Sequence, residues 1–311
     1  MNMIRNIENS SVNVPQDFLT MRPRIPIYVI MRVTDWCNFK CAYCGFDAFK
    51  IPNPSTKALE KVINEFAAAG TYRICFSGGE PLLREDIGHL VSLVHKLGLE
   101  ASLNSNGWFA AERVEELQDL DTLLLSLDGM QEIHDAQRKT GSFERVIEAI
   151  DSFRRTNTTV YGLTVLTKNN LCEIDHLLQL ADKKGFNLYF QPIECDDYEK
   201  DPLAPSPEAI RAVSNRLQYL KKKGAPIANS LSYLQILEQW PKDYSMTRCL
   251  AGIISCIVNP DGTVVPCNNC SLTSRPGNAF MEGVQKSFNK IRGIECKKCW
   301  SNRQHSLCGS H

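Results

Sequence analysis

The sequence predicts an α/β protein: a partial (β/α)6 barrel followed by a small β-hairpin and helix extension rich in cysteine. Three observations carry this expectation. Strand-like and helix-like runs alternate through the first two thirds of the chain, which implies a parallel sheet. Polar and glycine-rich motifs follow the strand-like runs, where active sites of such barrels gather. Thiols are concentrated in two places, Cys37 to Cys44 and Cys249 to Cys308.

The elements come in order. Strands are expected over 27–33, 73–77, 99–104, 122–127, 159–166 and 187–193. Between them helices are expected over 56–69, 86–97, 110–119, 142–155 and 171–184. In the last, Leu171, Ile174, Leu177, Leu178 and Ala181 recur at helical spacing. A Pro- and Asp-rich break at 195–209 ends the alternation. A helix at about 207–223 and a Leu/Tyr/Trp-rich stretch at 227–240 follow. The chain thus divides into an N-terminal extension (1–26), the barrel (27–240) and a cysteine-rich unit (241–311).

Composition narrows the function. The 35 acidic and 35 basic residues cancel, so no polyanion-binding surface is implied and nucleic acid is not an expected partner. No apolar run reaches the roughly 18 residues of a membrane span, and the polar N-terminus lacks a signal-peptide core. A cytoplasmic location is expected, where thiols stay reduced. Thirteen cysteines there point to metal rather than disulfides. Cys75, Cys172 and Cys195 lie outside both groups and read as small core hydrophobes.

Cys37, Cys41 and Cys44 stand at C-x3-C-x2-C spacing just after the first strand. A [4Fe–4S] cube normally takes four cysteine ligands. Three leave one iron open to an outside molecule. After the second strand comes Ser77-Gly78-Gly79-Glu80-Pro81. Its glycines allow close backbone approach, and its acid suits an ammonium group. The third strand ends Asn104-Ser105-Asn106-Gly107 and the fourth Ser126-Leu127-Asp128-Gly129. These polar residues read equally as cofactor contacts or as caps and Asx-turns.

The cysteine triplet and the Gly-Gly-Glu element together resemble the core of the radical S-adenosylmethionine (SAM) enzymes, over roughly residues 28–195. The resemblance implies that SAM chelates the open iron. Gly78, Gly79 and Glu80 then hold the SAM amino group, and Tyr43 sits beside the adenine. Asn104, Asn106 and Ser126 contact the SAM carboxylate or ribose. The segment His134 to Phe143 is similar to the family's H-x3-R-x2-G-x-F pattern, which assigns Arg138 to the SAM carboxylate. His134 is expected on a helix surface. The implied chemistry is reductive SAM cleavage to a 5′-deoxyadenosyl radical, with reduced flavodoxin or ferredoxin as electron donor.

The second cysteine group admits two readings. Cys267, Cys270, Cys296 and Cys299 form paired C-x2-C elements that suit a zinc ribbon. The segment also resembles the auxiliary-cluster extensions called SPASM and twitch. There a hairpin, here around Asn259-Pro260-Asp261-Gly262, is closed by G-x4-C, here Gly262 to Cys267. That resemblance implies a fully ligated auxiliary [4Fe–4S] cluster on Cys249, Cys267, Cys296 and Cys299. The longer SPASM pattern has cysteines where this chain has His305 and Gly309, so the short twitch form fits better. Cys256, Cys270, Cys308 and Cys195 remain as hydrogen-atom donors to a substrate radical or as packed thiols.

Three functions follow. The first is dehydrogenation or epimerisation of a small polar substrate, such as a sugar or aminoglycoside-like compound. The second is a maturase that crosslinks, oxidises or epimerises a ribosomally made peptide. The short stretch before the first strand leaves no room for a leader-binding domain, which favours the first. The third is a non-catalytic iron–sulfur or zinc-binding protein, which gives no reason for the open-iron triplet.

Overall fold

The computed structural model describes residues 25–44, 51–194, 198, 200–240, 250–267 and 276–291. Six parallel strands lie in chain order: β1 (Tyr28–Thr34), β2 (Arg73–Gly78), β3 (Glu100–Ser105), β4 (Thr122–Ser126), β5 (Thr159–Leu166) and β6 (Asn187–Pro192). Helices α1 (Thr56–Ala69), α2 (Ile87–Lys96), α3 (Gln131–Gln137), α4 (Ser142–Phe153) and α5 (Ile174–Lys184) connect them. This is the expected partial barrel.

Local sequence explains the first connection. Helix α1 starts where Ser55 Oγ accepts from the Ala58 N–H, and it stops at Gly70, whose left-handed backbone suits glycine. Leu59, Val62, Ile63 and Phe66 bury one face of it. Burying such side chains contributes about 1.5–3 kcal/mol each. The helix expected over 110–119 is instead a short 3-10 turn, Ala111–Arg113, followed by further turns. The Arg113, Leu117 and Leu120 N–H groups bond to carbonyls three residues back, the tighter pattern. Arg113 also caps the Leu82 and Arg84 carbonyls, which ties this segment to the loop after β2.

The strands alternate sharply. Val29, Met31 and Val33 of β1 are buried, as are Ile74 and Phe76 of β2 and Leu188 and Phe190 of β6. The intervening residues, Ile30 and Arg32, Cys75 and Ser77, Tyr189 and Gln191, face the barrel lumen.

Beyond β6, α6 (Pro207–Lys222) and α7 (Leu231–Leu237) pack together, and Ile227 bridges to Leu188 at the sheet edge. At the other edge β7 (Ser255–Val258) pairs in parallel with β1. A hairpin through Asn259–Gly262 then leads to β8 (Thr263–Val265) and on to β9 (Gly277–Asn278). The expected hairpin therefore forms, and it extends the barrel sheet. The sheet order is β6-β5-β4-β3-β2-β1-β7-β8-β9. Short helices α8 (Ala279–Glu282) and α9 (Val284–Lys290) close this part. Among the described residues, no helix is long and apolar enough to cross a membrane.

One alternative left open for a cysteine is decided here, and one expectation is corrected. Cys256 is buried on β7 in register with Val29, the helix-packed side of the sheet, so it does not face the lumen as a hydrogen donor must. Burial also pushes its thiol pKa upward. Cys172 is exposed rather than core, because the 3-10 turn Leu171–Glu173 turns it to solvent. Cys75 is buried as expected, but on the lumen side, with its thiol 3.6 Å from Asn104 Oδ1. Cys195, Cys249, Cys270, Cys296, Cys299 and Cys308 lie outside the described residues.

Candidate active site

The cysteine triplet occupies the segment that leaves β1 at the mouth of the barrel. The Trp36 N–H bonds to Thr34 Oγ1, and the Phe39 N–H points at Cys37 Sγ, 3.4 Å away. The Cys44 N–H closes a turn onto the Cys41 carbonyl. Burial pushes the Cys41 thiol up to about 11 and raises Cys37 as well, and each thiol is further raised by its neighbours in the loop. Metal binding must therefore displace protons from these sulfurs.

The donor set fits an iron–sulfur cube. Three thiols share one loop, and the charge of Cys44 raises both Cys37 and Cys41. Cysteines on a cube hold different irons, so they need not converge on a point. Among the described residues no three side chains converge as the cage of a single ion. Cys267 stands at the end of the hairpin, half-buried.

The Gly-Gly-Glu element has a different local role from the one expected. The Gly79 N–H bonds to the Thr34 carbonyl, and the Glu80 N–H to the Trp36 carbonyl, each at 2.8 Å. A Cβ on Gly78 would stand 2.1 Å from the Thr34 oxygen, and one on Gly79 2.2 Å from the Trp36 oxygen. The glycines let the chain's own cysteine loop approach, so on this side the close approach is made by the chain's own backbone.

Glu80 is buried, and three protein donors reach its carboxylate. Leu82 N–H and Ser105 Oγ donate to Oε1 at 3.0 and 2.9 Å, and Asn106 N–H donates to Oε2 at 2.7 Å. An ionised carboxylate has about four lone-pair sites, which leaves one for a cation. Burial pushes the Glu80 carboxyl up to about 7 against these donors.

The other expected contacts are brought to the same mouth. Asn106 Oδ1 accepts from the Trp108 N–H at 3.0 Å, an Asx-turn. Its Nδ2 reaches Asn38 Oδ1 at 2.8 Å and Cys37 Sγ at 3.9 Å. Asn104 lies deeper, against Ser77 and Cys75. Ser126 ends β4 on the lumen row, half-buried.

Tyr43 and Arg138 both converge on Asp128. Tyr43 donates its hydroxyl to Asp128 Oδ2 at 2.5 Å, and Arg138 Nε donates to the same oxygen at 2.6 Å. The Val165 N–H holds Oδ1 at 3.0 Å. Arg138 is thus paired within the protein through Nε, a partner that its spacing in the sequence does not announce. Its Nη1 lies 3.9 Å from Cys41 Sγ.

His134 is fully buried, not on the helix surface. Its Nδ1 accepts the Asp128 N–H at 3.1 Å, and its ring packs edge-on to Phe143. Desolvation first, then the Arg138 charge, lowers its pKa to about 4, so it is neutral with the proton on Nε2. Asn170 Nδ2 grips the Asp128 carbonyl at 2.8 Å. Asp128, His134 and Asn170 form a support that sequence spacing does not announce. Their partners lie on β5, on the cysteine loop and on both sides of α3.

Residues 31–181 match a family model described as the radical SAM superfamily. The chain is 26% identical to an AdoMet-dependent heme synthase of Oleidesulfovibrio alaskensis, over 97% of this chain and 86% of that protein. It is also 26% identical to mycofactocin maturase MftC of Mycobacterium tuberculosis, over 78% of this chain and 64% of that protein. In fold it resembles Streptococcus suis SuiB bound to precursor peptide SuiA. The TM-score is 0.73 at 17% identity, over 88% of this chain and 68% of that one.

Proposed function

The chain carries a radical SAM superfamily domain and is an enzyme of that type, and on this premise we propose that it modifies a short peptide. Cys37, Cys41 and Cys44 hold the SAM-binding [4Fe–4S] cluster, which supplies reductive cleavage of SAM to a 5′-deoxyadenosyl radical. Tyr43, Gly78, Gly79, Glu80, Asn104, Asn106, Ser126 and Arg138 surround the SAM site. The observation that carries this reading is the loop zipper. Backbone bonds from Gly79 and Glu80 to Thr34 and Trp36 hold the start of the cysteine loop against the buried acid, and Asn106 touches both Glu80 and Cys37.

The peptide substrate is supported by the fold likeness to SuiB in complex with its precursor and by the likeness to MftC. The expectation of a small polar metabolite rested on the stretch before the first strand, which is no measure of a substrate. A small-molecule reading keeps one observation of its own, the heme synthase likeness across nearly the whole chain. We place an auxiliary cluster on Cys249, Cys267, Cys296 and Cys299 in a unit beginning near residue 241, where it would supply an electron acceptor. Reduced flavodoxin or ferredoxin is the proposed donor, in the cytoplasm.

The test is co-expression with short peptides encoded beside the gene, followed by mass spectrometry in deuterium oxide. Loss of two hydrogens in a peptide is expected for oxidation or crosslinking. Unchanged connectivity with one solvent deuterium at carbon indicates epimerisation. Intact peptides, together with SAM cleavage stimulated by a small metabolite alone, would overturn the peptide reading.

Glu80 carries a separate expectation. Its free lone-pair site faces the SAM ammonium in this reading, so Glu80→Gln weakens SAM binding by roughly tenfold or more, given about 1.5–3 kcal/mol for a hydrogen bond to a charged group. The pH dependence has a definite sign. The folded carboxyl is raised from 4.5 to about 7, so the stability it contributes to the SAM-free protein is present below 4.5 and fades as pH rises through about 7. SAM affinity runs the other way and rises with pH through that window, because the ammonium needs the carboxylate. Calorimetric titration from pH 5.5 to 8.5 checks both. A flat profile with unchanged affinity in the variant leaves Glu80 only its hold on Leu82, Ser105 and Asn106.

A further inference from the structure

Arg138 and Asp128 form an ion pair at 2.6 Å in which neither side chain is more than 7% exposed. Such a pair is costly to desolvate and is strongly disrupted when one partner is lost. Every polar group of Asp128 is engaged. His134 accepts its N–H, Asn170 donates to its carbonyl, Val165 N–H holds Oδ1, and Tyr43 and Arg138 share Oδ2. The carboxylate is therefore fixed to β4 and β5 and does not follow the loop. The guanidinium it holds lies over the Tyr43 ring, 5.6 Å from the centroid, and points Nη1 at Cys41 Sγ. The Ala42 N–H bonds to the Gln137 carbonyl at 2.9 Å, which locks the same corner of the loop to the end of α3.

We propose that this pair is an electrostatic control on the cluster at Cys41, with Arg138 as the cation that favours the reduced state and Asp128 as the positioning residue that aims it and offsets part of its charge. The inference rests on the reading of Cys37, Cys41 and Cys44 as cluster ligands. Its physical basis is general. Reducing a cluster adds a negative charge, and hydrogen bonds to the sulfurs and nearby net charge set how readily that occurs. Guanidinium stays charged throughout the working pH range, so the effect does not titrate. Tyr43 adds a neutral hydroxyl that helps hold Asp128 Oδ2 in place.

The two members of the pair have opposite expected effects. Arg138→Met removes the cation and lowers the midpoint potential. Asp128→Asn keeps a carbonyl that accepts from Nε but removes the anion, and raises it. A purely structural role moves both potentials the same way or moves neither. The experiment is anaerobic reconstitution of the full chain, iron analysis, and redox titration of the cluster at Cys37, Cys41 and Cys44 followed by electron paramagnetic resonance without SAM. Shifts of opposite sign at undiminished iron content are the expected result. Equal-sign or absent shifts with the cluster intact overturn the proposal.

A measurement on the unmutated chain guards against variants that fail to fold. Chain labelled with 15N-arginine is expected to show a nitrogen coupling to the reduced cluster by pulsed resonance, and its absence overturns the proposal. Failure of the underlying reading looks different. In that case the triple cysteine variant would keep the same iron content and the same SAM cleavage as the parent.

Discussion

Replacing Cys37, Cys41 and Cys44 together by alanine is expected to abolish 5′-deoxyadenosine formation with dithionite and to remove about four irons per chain. The effect is total rather than graded, because the other described thiols lie elsewhere, Cys267 at the end of the C-terminal hairpin. Cys75 faces the lumen below the mouth, Cys256 lies on the opposite side of the sheet, and Cys172 is exposed after β5. The stability cost is expected to be small, since the three side chains are half-buried or exposed. About four irons should persist in the variant if Cys249, Cys267, Cys296 and Cys299 hold a second cube. Stoichiometric zinc in its place would favour a ribbon through Cys267, Cys270, Cys296 and Cys299. Undiminished 5′-deoxyadenosine would remove the triplet from the chemistry altogether.

Gly79→Ala is expected to damage the same site from outside it. The new Cβ would stand 2.2 Å from the Trp36 oxygen and 2.5 Å from the Trp36 carbon. Both are backbone atoms, so the strand end and the cysteine loop must part, and the bonds from Gly79 and Glu80 to Thr34 and Trp36 are lost with them. Overpacking in a tight interior costs about 1–3 kcal/mol and occasionally more. Here the displaced segment leads directly into Cys37, so iron uptake should fall along with Tm. Gly98→Ala is the control. Its backbone is left-handed, which that of Gly79 is not, but nothing lies within 4 Å of the added carbon, so strain of roughly 1–2 kcal/mol is expected, with full iron content. Full iron uptake by Gly79→Ala would show that the zipper does not place the loop.

What is legible in this sequence is set by the range of the interactions. The cysteine triplet is legible because its members are neighbours in one loop. Helix α1 is legible because its cap and its apolar face repeat within a few residues. The expected helix at 110–119 fails because Arg113 reaches across to the Leu82 and Arg84 carbonyls, a contact that no helical period announces. His134 reads as a surface residue because polar neighbours flank it on α3. Its burial comes from Asp128 and Phe143, which reach it only once α3 folds back over β4.

The sequence by itself determined the alternation of strands with helices, the parallel sheet it implies, and the close spacing of three thiols in one loop. All of these follow from short-range periodicity and spacing. The tertiary structure alone decided where the C-terminal hairpin goes, which side of the sheet Cys256 faces, and whose backbone fills the space beside Gly78 and Gly79. It alone paired Arg138 with Asp128 beside Cys41. The physical reason is the same in each case. A strand's alternation states that one face is buried but not which strand lies beside it, and a charged side chain states that it needs a partner but not which one. Those choices are made only when distant segments close on one another.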